Sequence, residues 1–391
     1  MNIGSLFYKA VMTMLMSCSF VTGIVSARPP ETLDFGFARF VKKQEMLFRE
    51  PVLHVMINDA GSKPYPYALV LNDRIILLNK AGKQISESPL PAISRIKVRE
   101  SVDCKYLSLY GHDADSKSAF MRLFSDKGEL LFSRDDFQYN DRIPAPLPLA
   151  KSRRLLFVDN GTLVLTGFND DTLASRILLA RDSFQDGDIF VAACGRDDHF
   201  FAVANKYQFP TREIDDRPTL YHFDSGLNEH SRSTLPYLLI NDINPTADGE
   251  HLYFSAEQED GKSPIIISDF EGRALHTFLS SSILRSSSES GAILHIPRSG
   301  KPELVDFLER KTPAVIDLPA HRYPWLDAAI SADSRYLLFY NDDELALFDT
   351  ANRRSAKVPF PFSFRRCFIS EQGRRIILAG DFGFEIYELS R

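Results

Sequence analysis

Cysteine is scarce in this chain, and the motifs that mark common catalytic sites are missing. Four cysteines stand among 391 residues and no two form a CxxC pair, which excludes a disulfide scaffold and a thioredoxin-like redox site. No HExxH, P-loop, dinucleotide-binding or G-x-S-x-G pattern occurs. The sequence therefore identifies no catalytic residues, and we expect no cofactor and no bound metal.

Basic residues are not in excess, and long apolar or helical segments are absent beyond the N-terminus. The net charge is −6, which argues against a nucleic-acid partner. After residue 27 no apolar run is long enough to span a bilayer, and no segment shows sustained helical periodicity. The 20 glycines and 22 prolines are too few for a low-complexity chain. The composition is that of an ordinary globular protein.

The first 27 residues have the layout of a secretory signal peptide. A polar start ending at Lys9 precedes an uncharged stretch over 10–27, which closes on the small residues Val25-Ser26-Ala27. We expect cleavage after this segment, an extracytoplasmic location (periplasmic or secreted) and no membrane span in the mature chain. Two alternatives stay open: an uncleaved anchor, and a lipoprotein attached through Cys18, since 15–18 loosely resemble a lipobox.

The remaining chain, 28–391, repeats one plan in which a polar turn leads into two short apolar runs. In 331–350, the run 336–340 is joined to 344–349 by Asn341-Asp342-Asp343, a pattern that predicts a β-hairpin. The interval between such units is about 44 residues, typical of propeller blades. We predict an all-β fold, a single propeller of eight four-stranded blades. Seven blades, or two domains divided near 238 or 283, are the alternatives. Similar units begin near residues 67, 106, 154, 199, 251, 292, 336 and 375.

Residues 244–279 resemble the TolB-type, WD-like propeller repeat of exported bacterial proteins. The shared features are the Asp248-Gly249 turn, the strand over 251–256, a polar loop, the run 265–269 and a second turn at Glu271-Gly272. The resemblance implies a propeller fold and export. It identifies a class of repeat and no activity, so the envelope partners of TolB are not implied for this chain.

The two ends of the mature chain are predicted to share one blade. The final unit holds three strands, the last over 383–389, while an extra apolar strand over 33–41 precedes the first unit. Pairing of these segments would complete the eighth blade and leave no open sheet edge. Cys104, Cys194 and Cys367 then fall in blades two, four and eight, too far apart for a disulfide.

Loops at one mouth of the channel are the predicted binding surface, because loops converge there while strands support them. The long second-to-third-strand loops lie within 111–118, 205–219 and 257–263, and the segments 137–148 and 319–325 should share their face. Ordinary solvated loops are the alternative interpretation. Aromatic and arginine side chains are enriched in binding hot spots, which selects Tyr207, Phe209, Arg212, Arg217, Tyr323 and Trp325.

These patterns favour a monomeric scaffold that binds a protein, peptide or glycan partner in the envelope or outside the cell. The alternative is a channel-mouth hydrolase or lyase acting on glycans or phosphoesters, which needs converging carboxylates or a histidine. No locally spaced pair identifies such groups, so a binder is expected rather than an enzyme. The acidic residues in 113–115 and 257–260 lack the spacing of an EF-hand, so calcium is not expected either.

Overall fold

The fold was analysed in a computed structural model of the whole chain. The architecture below is that of the unit Thr32–Arg391. The predicted signal peptide, with Cys18, lies outside the described residues. The structure describes residues 30–57, 67–101, 105–137, 143–159, 162–168, 176–179, 189–194, 197–206, 216–226, 228–246, 249, 251–279, 283–287, 290–297, 299–306, 313–320, 324–360, 364–370, 373–380 and 383–390.

The described residues form 33 strands and no helix. In chain order the strands are β1 (Thr32–Asp34), β2 (Arg39–Leu47), β3 (His54–Ile57), β4 (Tyr67–Val70), β5 (Arg74–Leu78), β6 (Gln84–Pro89), β7 (Ile93–Glu100), β8 (Tyr106–Asp113), β9 (Ala119–Ser125), β10 (Leu130–Phe137), β11 (Leu147–Leu149), β12 (Arg154–Asp159), β13 (Thr162–Gly167), β14 (Arg176–Leu179), β15 (Ile189–Cys194), β16 (His199–Lys206), β17 (Asp216–Phe223), β18 (Glu229–Thr234), β19 (Leu239–Pro245), β20 (Leu252–Glu257), β21 (Ile265–Ser268), β22 (Ala274–Phe278), β23 (Ile283–Ser286), β24 (Ile293–Ile296), β25 (Glu303–Val305), β26 (Ala314–Val315), β27 (Asp327–Ile330), β28 (Tyr336–Tyr340), β29 (Glu344–Asp349), β30 (Arg354–Pro359), β31 (Phe364–Ile369), β32 (Arg375–Gly380) and β33 (Gly383–Leu389).

These strands build eight antiparallel sheets, which are the blades of a propeller. Seven blades take four consecutive strands each, from β3–β6 to β27–β30. The first strands of successive blades lie next to each other, as β15 does against β19 and β27 against β31, so they form the inner wall of the ring. The all-β propeller prediction is confirmed with eight blades, not seven. Each predicted unit start falls at or beside the second strand of a blade, including those near 67 and 292, at β4 and β24.

The eighth blade combines both ends of the described chain. Its strands β31, β32 and β33 are extended by β2 and then β1, which gives a sheet of five. The pairing of β2 with β33 runs from Phe40 opposite Leu389 to Leu47 opposite Gly383, which confirms the predicted ring closure. The single strand predicted over 33–41 is wrong in detail. Gly36, with a φ of 77°, turns the chain between β1 and β2, so the segment begins a hairpin.

The hydrophobic core is divided among the interfaces between blades. Second and third strands are apolar on both faces, because each face packs against a neighbouring blade; β28 and β29 are buried almost throughout. Fourth strands alternate instead, as in β6 and β18, because one face reaches solvent. A blade removed from the ring would expose both faces to water, so the fold depends on closure. The cluster between blades seven and eight includes Leu338, Tyr340, Leu347, Ile376, Leu378 and Tyr387, together with Leu33 and Phe40 of the N-terminal hairpin.

The turn from the first to the second strand repeats one hydrogen-bond pattern. A serine or threonine hydroxyl accepts the backbone N–H of the residue five positions later, where the second strand begins. In three of the four turns a residue with positive φ lies between them, namely Gly249, Ser334 or Gly373, and at Gly373 an added Cβ would come 2.3 Å from Cδ2 of Tyr336. Glycine is therefore required there. The four pairs, at 2.9 to 3.1 Å, are Ser101–Tyr106, Thr246–His251, Ser331–Tyr336 and Ser370–Arg375.

Cysteine placement agrees with the predicted blades as far as it is described. Cys367 lies on β31, the first strand of blade eight, and its thiol is buried and free. Burial raises the pKa of this thiol well above its ordinary value, which makes it a poor nucleophile. Cys194 ends β15, the first strand of blade four. The strands β15 and β31 both belong to the inner wall, but blades four and eight are not neighbours. Cys104 lies outside the described residues.

Candidate functional site

Strand direction places the predicted binding loops on one face of the ring. In an antiparallel four-stranded blade, the second-to-third-strand loop and the segment entering the blade leave from the same end. In blade two these segments meet, since the N–H of Ala114 donates to the carbonyl of Ala92 at 2.7 Å. We call this face the loop mouth, comprising described segments 71–73, 114–118, 258–264, 299–302, 316–320, 324–326 and 341–343.

Of the six residues predicted to bind at this mouth, the structure describes two. Arg217 lies on β17 and forms an ion pair with Glu259, which belongs to the loop between β20 and β21 of the next blade. Both side chains are exposed, at 39% and 71%. The pair therefore joins blades four and five at the rim and presents both charges to solvent. Tyr207, Phe209, Arg212 and Tyr323 lie outside the described residues.

Trp325 lies in the core rather than on the surface. It is 6% exposed and packs with Leu294 and Ile316 between blades six and seven. Its ring lies 5.6 Å from that of Phe339, measured between centroids. The side chain therefore fixes the segment that enters blade seven, and the expected exposed aromatic contact is corrected at this position. A tryptophan beside a proline in a loop gives no sequence signal that tells these two roles apart.

The acidic loops use their carboxylates to shape turns. Asp113 accepts the N–H of Asp115 at 2.8 Å and the hydroxyl of Ser116 at 2.8 Å, and these bonds hold its pKa below the ordinary value. Asp260 pairs with Lys262 within its own loop. Across the described ranges, no group of three or more His, Cys, Asp or Glu side chains is arranged to hold a metal. None of these ranges contains a helix long and apolar enough to cross a membrane.

A group of charged side chains on the first strands was not predicted from the sequence. We call it the channel cluster, because first strands form the inner wall of the ring. Its members come from six blades and combine cations with carboxylates. They are His54, Arg99, Glu100, Asp242, Arg285, Asp327 and Arg366.

Asp327 connects three blades within this cluster. Its Oδ1 accepts a hydrogen bond from Nη2 of Arg285, on blade six, at 2.5 Å. Its Oδ2 accepts the backbone N–H of Cys367, on blade eight, at 3.0 Å. The N–H of Ala328 also donates to Oδ1, at 2.9 Å. The carboxylate is 5% exposed and its acceptor capacity is well used, as burial of a charge requires.

On blades one and two, His54 and Glu100 approach within 3.2 Å between Nε2 and Oε1. Arg99 interacts electrostatically with Asp242 and Tyr253 of blade five. Blades two and five are not neighbours, so this interaction crosses the channel. Burial lowers the pKa of Arg99, while Asp242 and Tyr253 oppose the shift.

Two carboxylates of the channel cluster are engaged by neighbouring side chains. Asp327 forms an ion pair with Arg285, and Oε1 of Glu100 lies 3.2 Å from Nε2 of His54. A glycosidase needs two carboxyl groups that face one bond across a substrate-sized gap. The contacts of Asp327 and Glu100 favour charge recognition instead.

The sequence contained a weak signal for this cluster. Charged residues stand inside otherwise apolar first strands, as Arg285 does in β23, Asp327 at the start of β27 and Arg366 in β31. Such positions cannot be explained by a solvated outer face, because the first strand of a blade lies at the centre. Only the ring closure brings residues as distant in sequence as Glu100 and Arg366 into electrostatic contact.

A histidine cluster lies on blade four, away from the channel wall. His222 is 8% exposed, and its Nε2 lies 3.0 Å from Nδ1 of His199. It stacks on Phe201 with 4.5 Å between ring centroids, and His230 packs edge-on at 5.1 Å. Burial, followed by the repulsion from His199 and His230, lowers the pKa of His222 from 6.5 to about 4.

We expect this cluster to make folding sensitive to acid. The unfolded chain binds a proton at His222 near pH 6.5 and the folded chain only near pH 4, so stability is complete above pH 6.5 and falls between these values. The free energy of unfolding should fall by about 2 kcal/mol. This is less than the full pKa shift of His222 would give, because the edge of its ring still contacts water. Urea unfolding from pH 7.5 to 4.5 measures it.

His222→Gln should reduce this pH slope, whatever it does to absolute stability. The half-buried His112, on β8 and outside the histidine cluster, offers a control: His112→Gln should keep the slope of the wild type. Equal slopes for His222→Gln and the wild type would show that the histidine cluster is not the acid-sensitive element.

Comparison with known proteins identifies the fold and nothing finer. No family model matches the chain, and no curated protein matches it in sequence. Solved structures do match: the C-terminal WD40 domain of Sif2 (TM-score 0.56, 13% identity, covering 90% of this chain and 99% of that one) and the Dos1 propeller (0.58, 11%, 89% and 95%). A eukaryotic initiation factor structure is similar too (0.55, 14%, 90% and 93%). The chain thus has the fold of WD40 β-propellers.

Proposed function

We propose that the protein is an extracytoplasmic scaffold that binds a protein, peptide or glycan at its loop mouth. The observation that carries the proposal is the exposed pair of Arg217 and Glu259, which spans two blades at that face. Surface ion pairs contribute little to stability, so a partner can engage this pair at small cost.

The surroundings of this pair support a binding role. Residues 259–263 are exposed one after another and sit on the rigid ends of β20 and β21. Irregular loops held by rigid strands are the usual site of recognition in repeat folds. Propellers of the WD40 fold are typical protein-binding scaffolds, and the described residues offer no group of side chains that could hold a metal.

The extracytoplasmic setting is proposed on the leader-like segment 1–27. Expression of the full chain should place the protein outside the cytoplasm after cell fractionation. A chain that begins at residue 28 should stay in the cytoplasm. Retention of the full chain in the cytoplasmic fraction would rule out this part of the proposal.

Charge reversal tests the loop mouth. In a capture experiment, the full chain is mixed with the envelope fraction and the amount of recovered partner is measured. We expect the double variant Arg217→Glu/Glu259→Arg to recover at least about tenfold less partner than the wild type, because reversed charges at an interface oppose binding. The pair Lys151–Asp197 is the matched control, because both side chains are exposed, at 61% and 65%, beside the first-to-second-strand turns of the opposite face.

The control variant Lys151→Glu/Asp197→Lys should capture as much partner as the wild type. A partner that is retained by the loop-mouth variant and lost by the control would place binding on the other face. Failure of both variants to change the captured amount would exclude both rims as the binding surface.

A further inference from the structure

Two arginines of the channel cluster flank one carboxylate, and both oxygens of that carboxylate accept hydrogen bonds. Arg285 on blade six and Arg366 on blade eight lie on either side of Asp327 of blade seven, and both interact with it electrostatically. Only Arg285 bonds to it directly. The second oxygen of Asp327 is taken by the N–H of Cys367, next to Arg366 in the chain. The two cations therefore share one hydrogen-bonded anion, Asp327, and the other carboxylate near Arg366 is Glu100.

Arg366 has no direct partner for its charged group in the described part of the chain. Its guanidinium forms no hydrogen bond and no ion pair with any residue that the structure describes, and the residue is exposed. Glu100 also attracts Arg366, and its Oε1 lies 3.2 Å from Nε2 of His54. Burial, followed by the repulsion from Arg285, lowers the pKa of Arg366, and the attraction of Asp327 and Glu100 opposes this shift only in part.

Arg285 is held in a fixed orientation that leaves donors free. Its Nε donates to the carbonyl of Ala328 at 3.1 Å, Nη1 to that of Leu284 at 2.9 Å, and Nη2 to Asp327. A guanidinium has five N–H groups, so each terminal nitrogen keeps one more. With 46% of its side chain exposed, Arg285 can use them towards the channel.

We propose that this wall of the channel is an oxyanion-binding site, in which Arg285 and Arg366 together hold a carboxylate or phosphate group of a small ligand. Paired guanidinium groups match the planar or tetrahedral oxygens of these anions and bind them through charge-assisted hydrogen bonds. The site is separate from the loop mouth and does not depend on the proposed scaffold role.

Calorimetric titration of the full chain at constant ionic strength tests the site, with inorganic phosphate and acetate as the two probes. We expect saturable binding of at least one of them, with a Kd of about 1 mM or tighter. Binding of phosphate alone would assign a phosphorylated ligand. Binding of acetate as well would extend the assignment to carboxylates.

Arg366→Gln is the decisive variant, because Arg366 anchors nothing in the described structure. It should weaken anion binding by at least about tenfold. Arg366→Lys keeps the positive charge but loses the paired N–H donors of the guanidinium, so its affinity should lie between those of the wild type and Arg366→Gln. Arg273→Gln is the matched control, since Arg273 is 76% exposed in an outer turn of blade five. It should bind like the wild type.

Folding is checked on the same samples. Without anion, Arg366→Gln should melt at the same temperature as the wild type or higher, because it removes a poorly compensated cation. The proposal fails if neither probe binds the wild type, if Arg366→Gln keeps the wild-type affinity, or if Arg273→Gln weakens binding equally.

Discussion

A chain that lacks residues 30–47 is expected to show no cooperative unfolding transition. This deletion removes β1 and β2, which pair with β33 and complete the eighth blade. It also removes Leu33, Phe35 and Phe40, which are 0%, 3% and 1% exposed. Each such side chain contributes about 2 to 3 kcal/mol by burial, so the total approaches the whole stability of a typical domain. Near-UV circular dichroism during heating measures the transition.

Two further chains separate ring closure from simple shortening. A chain that begins at residue 30 keeps both strands and should melt cooperatively. Phe40→Ala in the full chain should remain folded but lose about 3 to 5 kcal/mol, the usual cost of truncating a buried phenylalanine. Lys43→Ala, at an exposed position of β2, should change stability by less than about 0.5 kcal/mol. A cooperative transition in the 30–47 deletion would mean that the ring holds without its N-terminal hairpin.

Ring closure could be foreseen because the sequence pattern is strongest where burial is greatest. The second and third strands of a blade face other blades on both sides, so runs such as 336–340 are continuously apolar and stand out between polar turns. The incomplete last unit then called for a strand from the other end of the chain. The turn at Gly36 was missed because 33–41 alternates like one strand, although a glycine inside such a run often marks a bend.

The channel cluster could not be foreseen by the same means. First strands in this chain can be as short as three residues, as in β11. Their polarity depends on the channel that they line, so polar and apolar residues do not alternate in a regular pattern. The partners within the cluster also lie far apart in the sequence, with Glu100 and Arg366 on blades two and eight. Their meeting depends on the curvature of the whole ring, which no local pattern encodes. In contrast, the Ser/Thr hydroxyls in the turns between first and second strands recur five residues before the second strand. This spacing can be used to locate the start of that strand in the sequence.

Asp327→Ala should be the most damaging single substitution in the channel. It removes the acceptor of Arg285 and of the Cys367 N–H, and so breaks the links from blade seven to blades six and eight. It also leaves Arg285 and Arg366 facing each other without the intervening charge. The carboxylate is buried but Arg285 is 46% exposed, so the cost should fall below the about 3 to 5 kcal/mol of a fully buried pair and stay above that of an exposed pair. Chemical denaturation at pH 7 measures it.

Asp317→Ala is the matched control for the loss of an ion-paired aspartate. Asp317 pairs with Lys301 at 2.7 Å but is 82% exposed, so its removal should cost less than about 0.5 kcal/mol. Asp327→Asn keeps an oxygen acceptor without the charge and should fall between the two. An equal cost for Asp317→Ala and Asp327→Ala would show that the buried carboxylate does not link the blades.

A double substitution separates the loss of the link from the repulsion that follows it. In Asp327→Ala/Arg285→Leu the acid and its partner disappear together, so Arg366 no longer faces a second cation. If repulsion between the arginines forms a large part of the damage, the double variant should be more stable than Asp327→Ala alone. If the hydrogen bond to Cys367 matters most, the double variant should be no more stable than the single one. The first result is expected, because a stranded charge costs more than one neutral hydrogen bond.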